Sequence, residues 1–189
     1  MKVHQHFILH KPYGYLSQFI NNQTKRKKKM LGELYDFPDE TMAIGRLDVN
    51  SEGLLLLTTD GKVSEYIRSR KVEKEYYVQV DGIVTQLQIK QLIKGVVISI
   101  EGKNYTTKPC KARIIPSPNF PNRTQKIRDE RHGPTSWISI TINEGKFRQV
   151  RKMTAVVKLP TLRLIRVRIG VILLENLSLG QVKEVEGLM

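Results

Sequence analysis

The sequence predicts an α+β protein on a mixed, mostly antiparallel central sheet in two lobes, flanked by a few helices. Three observations predict it. Short apolar or alternating segments recur along the whole chain. Too few helical segments separate them to build the crossovers of a doubly wound parallel sheet. A long basic segment punctuated by Pro116, Pro118, Pro121 and Pro134 divides the chain without a sharp linker. At 189 residues, one domain spanning 1–189 is expected.

The elements follow in order. His6–Leu9 reads as a strand and Lys11-Pro12-Tyr13-Gly14 as the turn after it. Met30, Leu31, Leu34 and Tyr35 have helical spacing, stopped by Pro38. Leu54–Thr59, closed by Asp60-Gly61, reads as a strand buried on both faces. Val63, Tyr66 and Ile67 predict a short helix. Tyr76–Val80 alternates, with Tyr76, Val78 and Val80 on one face. Thr85 is a helix N-cap, Ile89, Leu92 and Ile93 its apolar stripe, and Gly95 its stop. Strands are expected at Val96–Ile100 and Lys111–Ile115, with Glu101–Asn104 only a turn. Trp137–Ile142 is a further strand. Phe147–Val157 reads as a helix with Phe147, Val150, Met153 and Val157 on one side and Arg148, Arg151 and Lys152 toward the other. Leu162–Ile169 and Gln181–Val185 complete the strands.

Composition narrows the function. Lys and Arg number 32 against 18 Asp and Glu, a net charge of +14. Residues 121–170 carry twelve basic and three acidic side chains. A second basic cluster spans residues 25–29. Concentrated positive charge releases counterions from a polyanion, so nucleic acid is the expected partner. The single cysteine, Cys110, excludes an internal disulfide and a cysteine-rich zinc site. His4, His6 and His10 make a poor metal set. No apolar run reaches membrane-spanning length and no secretion signal opens the chain, so a cytoplasmic protein without membrane contact is expected.

Few residues stand out for chemistry. Gly45–Gly53 is a polar turn between apolar strands, and Asp48 within it is either a turn former or a held catalytic carboxylate. Tyr76 alone reads as a core tyrosine, and Arg151 as a surface or phosphate-binding arginine. No phosphate-cradling glycine loop and no Ser or Cys nucleophile with an activating His is evident. Three readings stay open on pattern alone: an RNA-modifying enzyme, a non-catalytic RNA-binding or ribosome-assembly module, and a glycosidase. The last would want a second carboxylate, for which Glu52 and Glu144 have little context.

Taken together, Gly45-Arg46-Leu47-Asp48 with Ser51–Gly61, Lys74-Glu75-Tyr76, Glu144–Met153, and Leu164-Ile165-Arg166 with Gly170 resemble the motifs of the RsuA-like family of RNA pseudouridine synthases. The resemblance runs from about Phe7 to Val185 and implies that family's fold, with an active-site cleft across the sheet. Most relatives carry an N-terminal RNA-binding domain of the S4 type; Lys11-Pro12 comes almost at the start here, so no such domain is expected. The implied reaction breaks the N1–C1′ bond of a uridine in large-subunit (23S) ribosomal RNA and rejoins the uracil through C5. It implies no cofactor and no metal, and a monomer. Asp48 would be the essential carboxylate, Arg151 its ion-pair partner favouring the ionised form, and Tyr76 the ring stacked on uracil. Leu164 would exclude water. Arg46 would fill the gap left by a flipped base, with Lys74 and Arg148 also at the substrate. Lys25, Arg26, Lys27, Arg123, Lys126, Arg128, Arg131 and Lys152 would meet the RNA backbone.

Overall fold

The structure, a computed structural model, describes residues 3–20, 28–69, 72–123, 125–127 and 130–188. It divides into two compact units. The first joins residues 1–72 to 166–189, and the second is residues 73–165.

In the first unit, β1 (His6–Lys11) lies between β11 (Val182–Val185) and β3 (Glu52–Thr58), antiparallel to both. β2 (Met42–Ile44) pairs with the end of β3. β9 (Thr161–Ile169) runs through both units, and its last residues form a hairpin with β10 (Ile172–Leu173). Every residue of β3 is buried, as the unbroken apolar run predicts. Phe7, Leu9, Leu31, Leu55 and Leu57 make the core, joined by Phe19 and Phe37. Phe7 and Phe37 meet edge to face, 5.4 Å between centroids. The helix α1 (Gly61–Arg68) follows Asp60, whose carboxylate accepts from Lys62 N at 2.8 Å. That bond, with a second from Val63 N, holds the Asp60 carboxyl below its usual range.

The second unit has β9's first half, β4 (Lys74–Asp81), β8 (Thr135–Ile142) and β7 (Lys111–Ile115) in that order. The pairs β4–β8 and β7–β8 are antiparallel. Tyr76, Val78 and Val80 are buried as their alternation predicts. The helix α2 (Gln86–Lys94) opens on a reciprocal Thr85–Gln88 cap. Gly95 closes it at φ +95°, where a Cβ would lie 2.3 Å from the Thr107 carbonyl oxygen. A separate antiparallel hairpin, β5 (Val97–Ile100) and β6 (Lys103–Thr106), precedes β7, and α3 (Gln149–Val156) precedes β9.

Four sequence expectations are corrected. Residues 30–35 form only a single 3-10 turn, Leu31–Glu33. Leu31 is fully buried, while Tyr35 leaves the helical path to pack on Phe7 and Phe37. The last helix starts at Gln149, because Arg148 adopts a left-handed conformation at φ +52°. Phe147 therefore precedes the helix and is 67% exposed, not part of its apolar face. Ile93 is also outside the buried stripe of its helix, and residues 103–106 are a strand where only a turn was expected.

Candidate active site

Asp48 lies in the turn between β2 and β3, half-buried, and its carbonyl accepts from Ser51 N at 2.9 Å. The segment after β1 grips this turn from one side. Gly14 N donates to Val49 O at 2.8 Å. The buried Ser17 hydroxyl donates to Leu47 O at 2.9 Å and accepts from Leu47 N at 3.0 Å. Both backbone groups of the residue before Asp48 are thus satisfied by one side chain. Arg46, two residues before Asp48, is exposed. Clamped this way, the turn holds the Asp48 backbone in one path, which placing a carboxylate for nucleophilic or general-base work requires.

Beneath the turn lies a cluster the sequence did not single out for chemistry. Lys11 is fully buried, and its ammonium donates to Pro12 O at 2.9 Å and Ser51 O at 2.8 Å. Glu52, its neighbour in charge, is also fully buried. Arg166, on β9, donates from Nε to Leu54 O at 2.8 Å and is 2% exposed. Gly53 lets β9 come this close: a Cβ there would lie 2.3 Å from Arg166 O. Burial pushes the Lys11 pKa down from 10.5 to about 7; the Glu52 carboxylate opposes the shift, Arg166 adds to it and Asp48 opposes it.

A pH dependence follows. Between pH 7 and 10.5 the unfolded chain keeps the Lys11 proton that the folded chain has lost. Stability from this group therefore rises with pH across that window, by at most about 1.4 kcal/mol per pH unit. Lys11→Met should flatten the rise. Urea unfolding of both proteins at pH 7, 8 and 9 checks it, and parallel pH profiles would refute it.

In the second unit, Tyr76 is 8% exposed on β4, opposite Ile140 of β8. Lys74 opens the same strand, half-buried, opposite Ile142. Leu164 is buried on β9. Arg151 is half-buried on α3, and Arg148 exposed at its N-cap. Glu144 organises the approach to that helix. This buried carboxylate accepts from Tyr105 OH at 2.5 Å, Lys108 N at 3.0 Å and Gln149 Nε2 at 2.5 Å. Gln149 in turn accepts from Lys146 N at 3.0 Å. Burial, with the Glu144 charge adding, pushes the Cys110 thiol up to about 11, so it is a protonated packing group and not a nucleophile.

Among the proposed backbone contacts, Lys126 and Arg131 are exposed, Arg123 is half-buried with Nε donating to Gln125 O at 2.9 Å, and Lys152 donates to Ser99 O at 2.7 Å. Lys25, Arg26, Lys27 and Arg128 lie outside the described residues. The supporting groups that sequence reasoning missed are Lys11, Ser17, Glu52 and Arg166. The signal for Lys11 was a lysine placed between an apolar strand and a proline. Among the described residues, no helix is long and apolar enough to cross a membrane.

The family model for RNA pseudouridylate synthase matches residues 5–156. Ribosomal large subunit pseudouridine synthase E of Vibrio parahaemolyticus is 41% identical over 181 residues, covering 95% of this chain and 73% of the relative. The enzyme of the same name from Xanthomonas campestris is 41% identical over 177 residues, covering 92% and 91%. Ribosomal large subunit pseudouridine synthase B of Bacillus subtilis is 31% identical over 182 residues. A crystal structure of a pseudouridylate synthase superposes with a TM-score of 0.76 at 28% identity, over 98% of this chain and 71% of that one. Human RNA pseudouridylate synthase domain containing 1 shares the fold, with a TM-score of 0.54 at 12% identity. The matched stretch contains the Asp48 turn, the Tyr76 strand and the helix bearing Arg151, and this chain belongs to the RNA pseudouridylate synthase family, whose members are isomerases.

Proposed function

We propose that this chain converts one uridine of large-subunit ribosomal RNA to pseudouridine, at the synthase E position, uridine 2457 of the 23S molecule. The observation that carries this reading is the 41% identity to a synthase E over nine-tenths of both chains. The +14 charge supports a polyanionic substrate.

Asp48 is the essential carboxylate in this proposal. Either it attacks C1′ as the N1–C1′ bond breaks, or it takes the C2′ proton to give a glycal. The uracil then turns and C5 bonds to C1′, displacing the Asp48 carboxylate in the first route or with Asp48 returning the proton to C2′ in the second; C5 loses its proton and N1 gains one, so no atom is lost. Arg151 steadies the ionised acid, and Tyr76 stacks on the uracil and assists proton transfer at C5. Leu164 keeps water from capturing the detached base. A base within a helix must first be flipped out at a cost of a few kcal/mol, and Arg46 occupies the gap it leaves. Lys74 and Arg148 contact the same nucleotide. Lys25, Arg26, Lys27, Arg123, Lys126, Arg128, Arg131 and Lys152 meet phosphates along the strand. The protein acts as a monomer, without a cofactor, in the cytoplasm.

Mapping of pseudouridine in ribosomal RNA from cells with and without this protein tests the proposal. One large-subunit uridine should be converted only when the protein is present. Identical maps would overturn the enzymatic reading, and a change at a different uridine would overturn the assigned position.

A further inference from the structure

The loop that leads into α3 exposes an aromatic ring where an apolar contact was expected. Phe147 keeps 67% of its surface in solvent, the most exposed aromatic side chain among the described residues. The Lys152 ammonium lies 5.4 Å from its centroid, and that lysine is anchored by the Ser99 carbonyl at 2.7 Å. Lys146 is held 4.9 Å from the Tyr105 ring. Arg148, the next residue, is exposed too. The nearby carboxylate, Glu144, is buried and engaged by Tyr105, Lys108 and Gln149, so its oxygens are not presented to a ligand on this surface.

An exposed phenylalanine gains nothing from water, and a burial role would have turned it inward with Val150 and Met153. With the Lys152 ammonium over one face, the ring favours a partner that brings a flat π-surface to its other face and a negative charge within a few ångströms. A basic peptide would be repelled, and an acidic one would leave the ring without a stacking partner. A nucleotide supplies both. We propose that Phe147 is a stacking platform for an unpaired nucleotide of the RNA, with Lys146, Arg148 and Lys152 placed for its phosphates. The inference rests on RNA being the partner and extends it to strand form: this surface takes single-stranded or looped RNA in preference to duplex, because only an unpaired base offers its face.

The test uses the full chain and a fluorescein-labelled, unpaired 12-nucleotide RNA of mixed sequence, with its perfect duplex as comparison. Phe147→Leu should weaken single-strand binding about tenfold while leaving the salt slope unchanged, since no phosphate contact is lost. Phe147→Trp should bind within about twofold of wild type, with its indole emission quenched as RNA saturates. Lys146→Gln should lower the salt slope by about one. Wild-type affinity in the leucine variant, unquenched emission at saturation, or no binding of the oligonucleotide by wild type would each overturn the platform. Pseudouridine mapping reads the enzymatic proposal separately. A leucine variant with normal affinity beside intact conversion sinks only the platform, and lost stacking without conversion in wild type sinks only the assigned reaction.

Discussion

Asp48→Asn should reduce pseudouridine formation at least about ten-thousandfold, equivalent to roughly 5 kcal/mol of lost transition-state stabilisation. The amide has the size of the carboxylate but can neither attack C1′ nor accept a sugar proton. Its backbone partners are unchanged, because the turn is held through Asp48 O, Leu47 N and O, Val49 O and Ser51 O, none of which involves the carboxylate. The variant should therefore keep the turn's backbone and fold, with a melting temperature lowered by no more than about 5 °C through the charge lost near Lys11. RNA affinity should hold or rise, since one negative charge is removed. Tritium release from ribosomal RNA labelled at uridine C5, beside a thermal melt and a binding isotherm, separates these quantities. Turnover within tenfold of wild type by a folded Asn variant would remove Asp48 from the chemistry.

Gly53→Ala should damage the fold itself. At φ +105° the backbone is one that L side chains rarely adopt, and the added Cβ would meet Arg166 O at 2.3 Å and Arg166 N at 2.7 Å. Both obstacles are main-chain atoms, so no rotamer change relieves the clash and two strands must separate. A penalty of at least about 3 kcal/mol is expected. That corresponds to a fall of roughly 10 °C in melting temperature for a chain of this size, or to insoluble protein. Gly61→Ala is the control: its Cβ meets nothing within 4 Å, and it begins α1, where alanine is favourable. Equal melting of the two variants would mean that β3 and β9 do not approach as described.

Legibility followed the range of the interactions. The β3 strand, the Thr85 cap and the alternation of β4 were readable because each is decided within a few residues. Asp48 was readable as a turn carboxylate, and the chemistry proposed for it rests on the resemblance to the family motifs. Its support was not readable. Ser17 binds Leu47 across 30 residues, Lys11 binds Ser51 across 40, and Arg166 binds Leu54 across 112. The local mark of Lys11, its place between an apolar strand and Pro12, does not name the distant groups that bury and bind it. Phe147 failed for a different reason. Helical spacing assigns it to the core only if the helix runs through Arg148, and one left-handed residue moves the helix start and the ring with it.

The chain leaves the first unit at Val72 and returns at Arg166, so residues 73–165 form an uninterrupted insertion within it. During synthesis the inserted portion can close while the portion that carries Asp48 still lacks β10, β11 and the end of β9. Pairing His6 with Val185 then closes a loop over residues 6–185, a late and slow step because of its length. Residues 73–165 are therefore made before the strands that complete the first unit, and termination after Ile165 would leave that unit without β10, β11 and the end of β9.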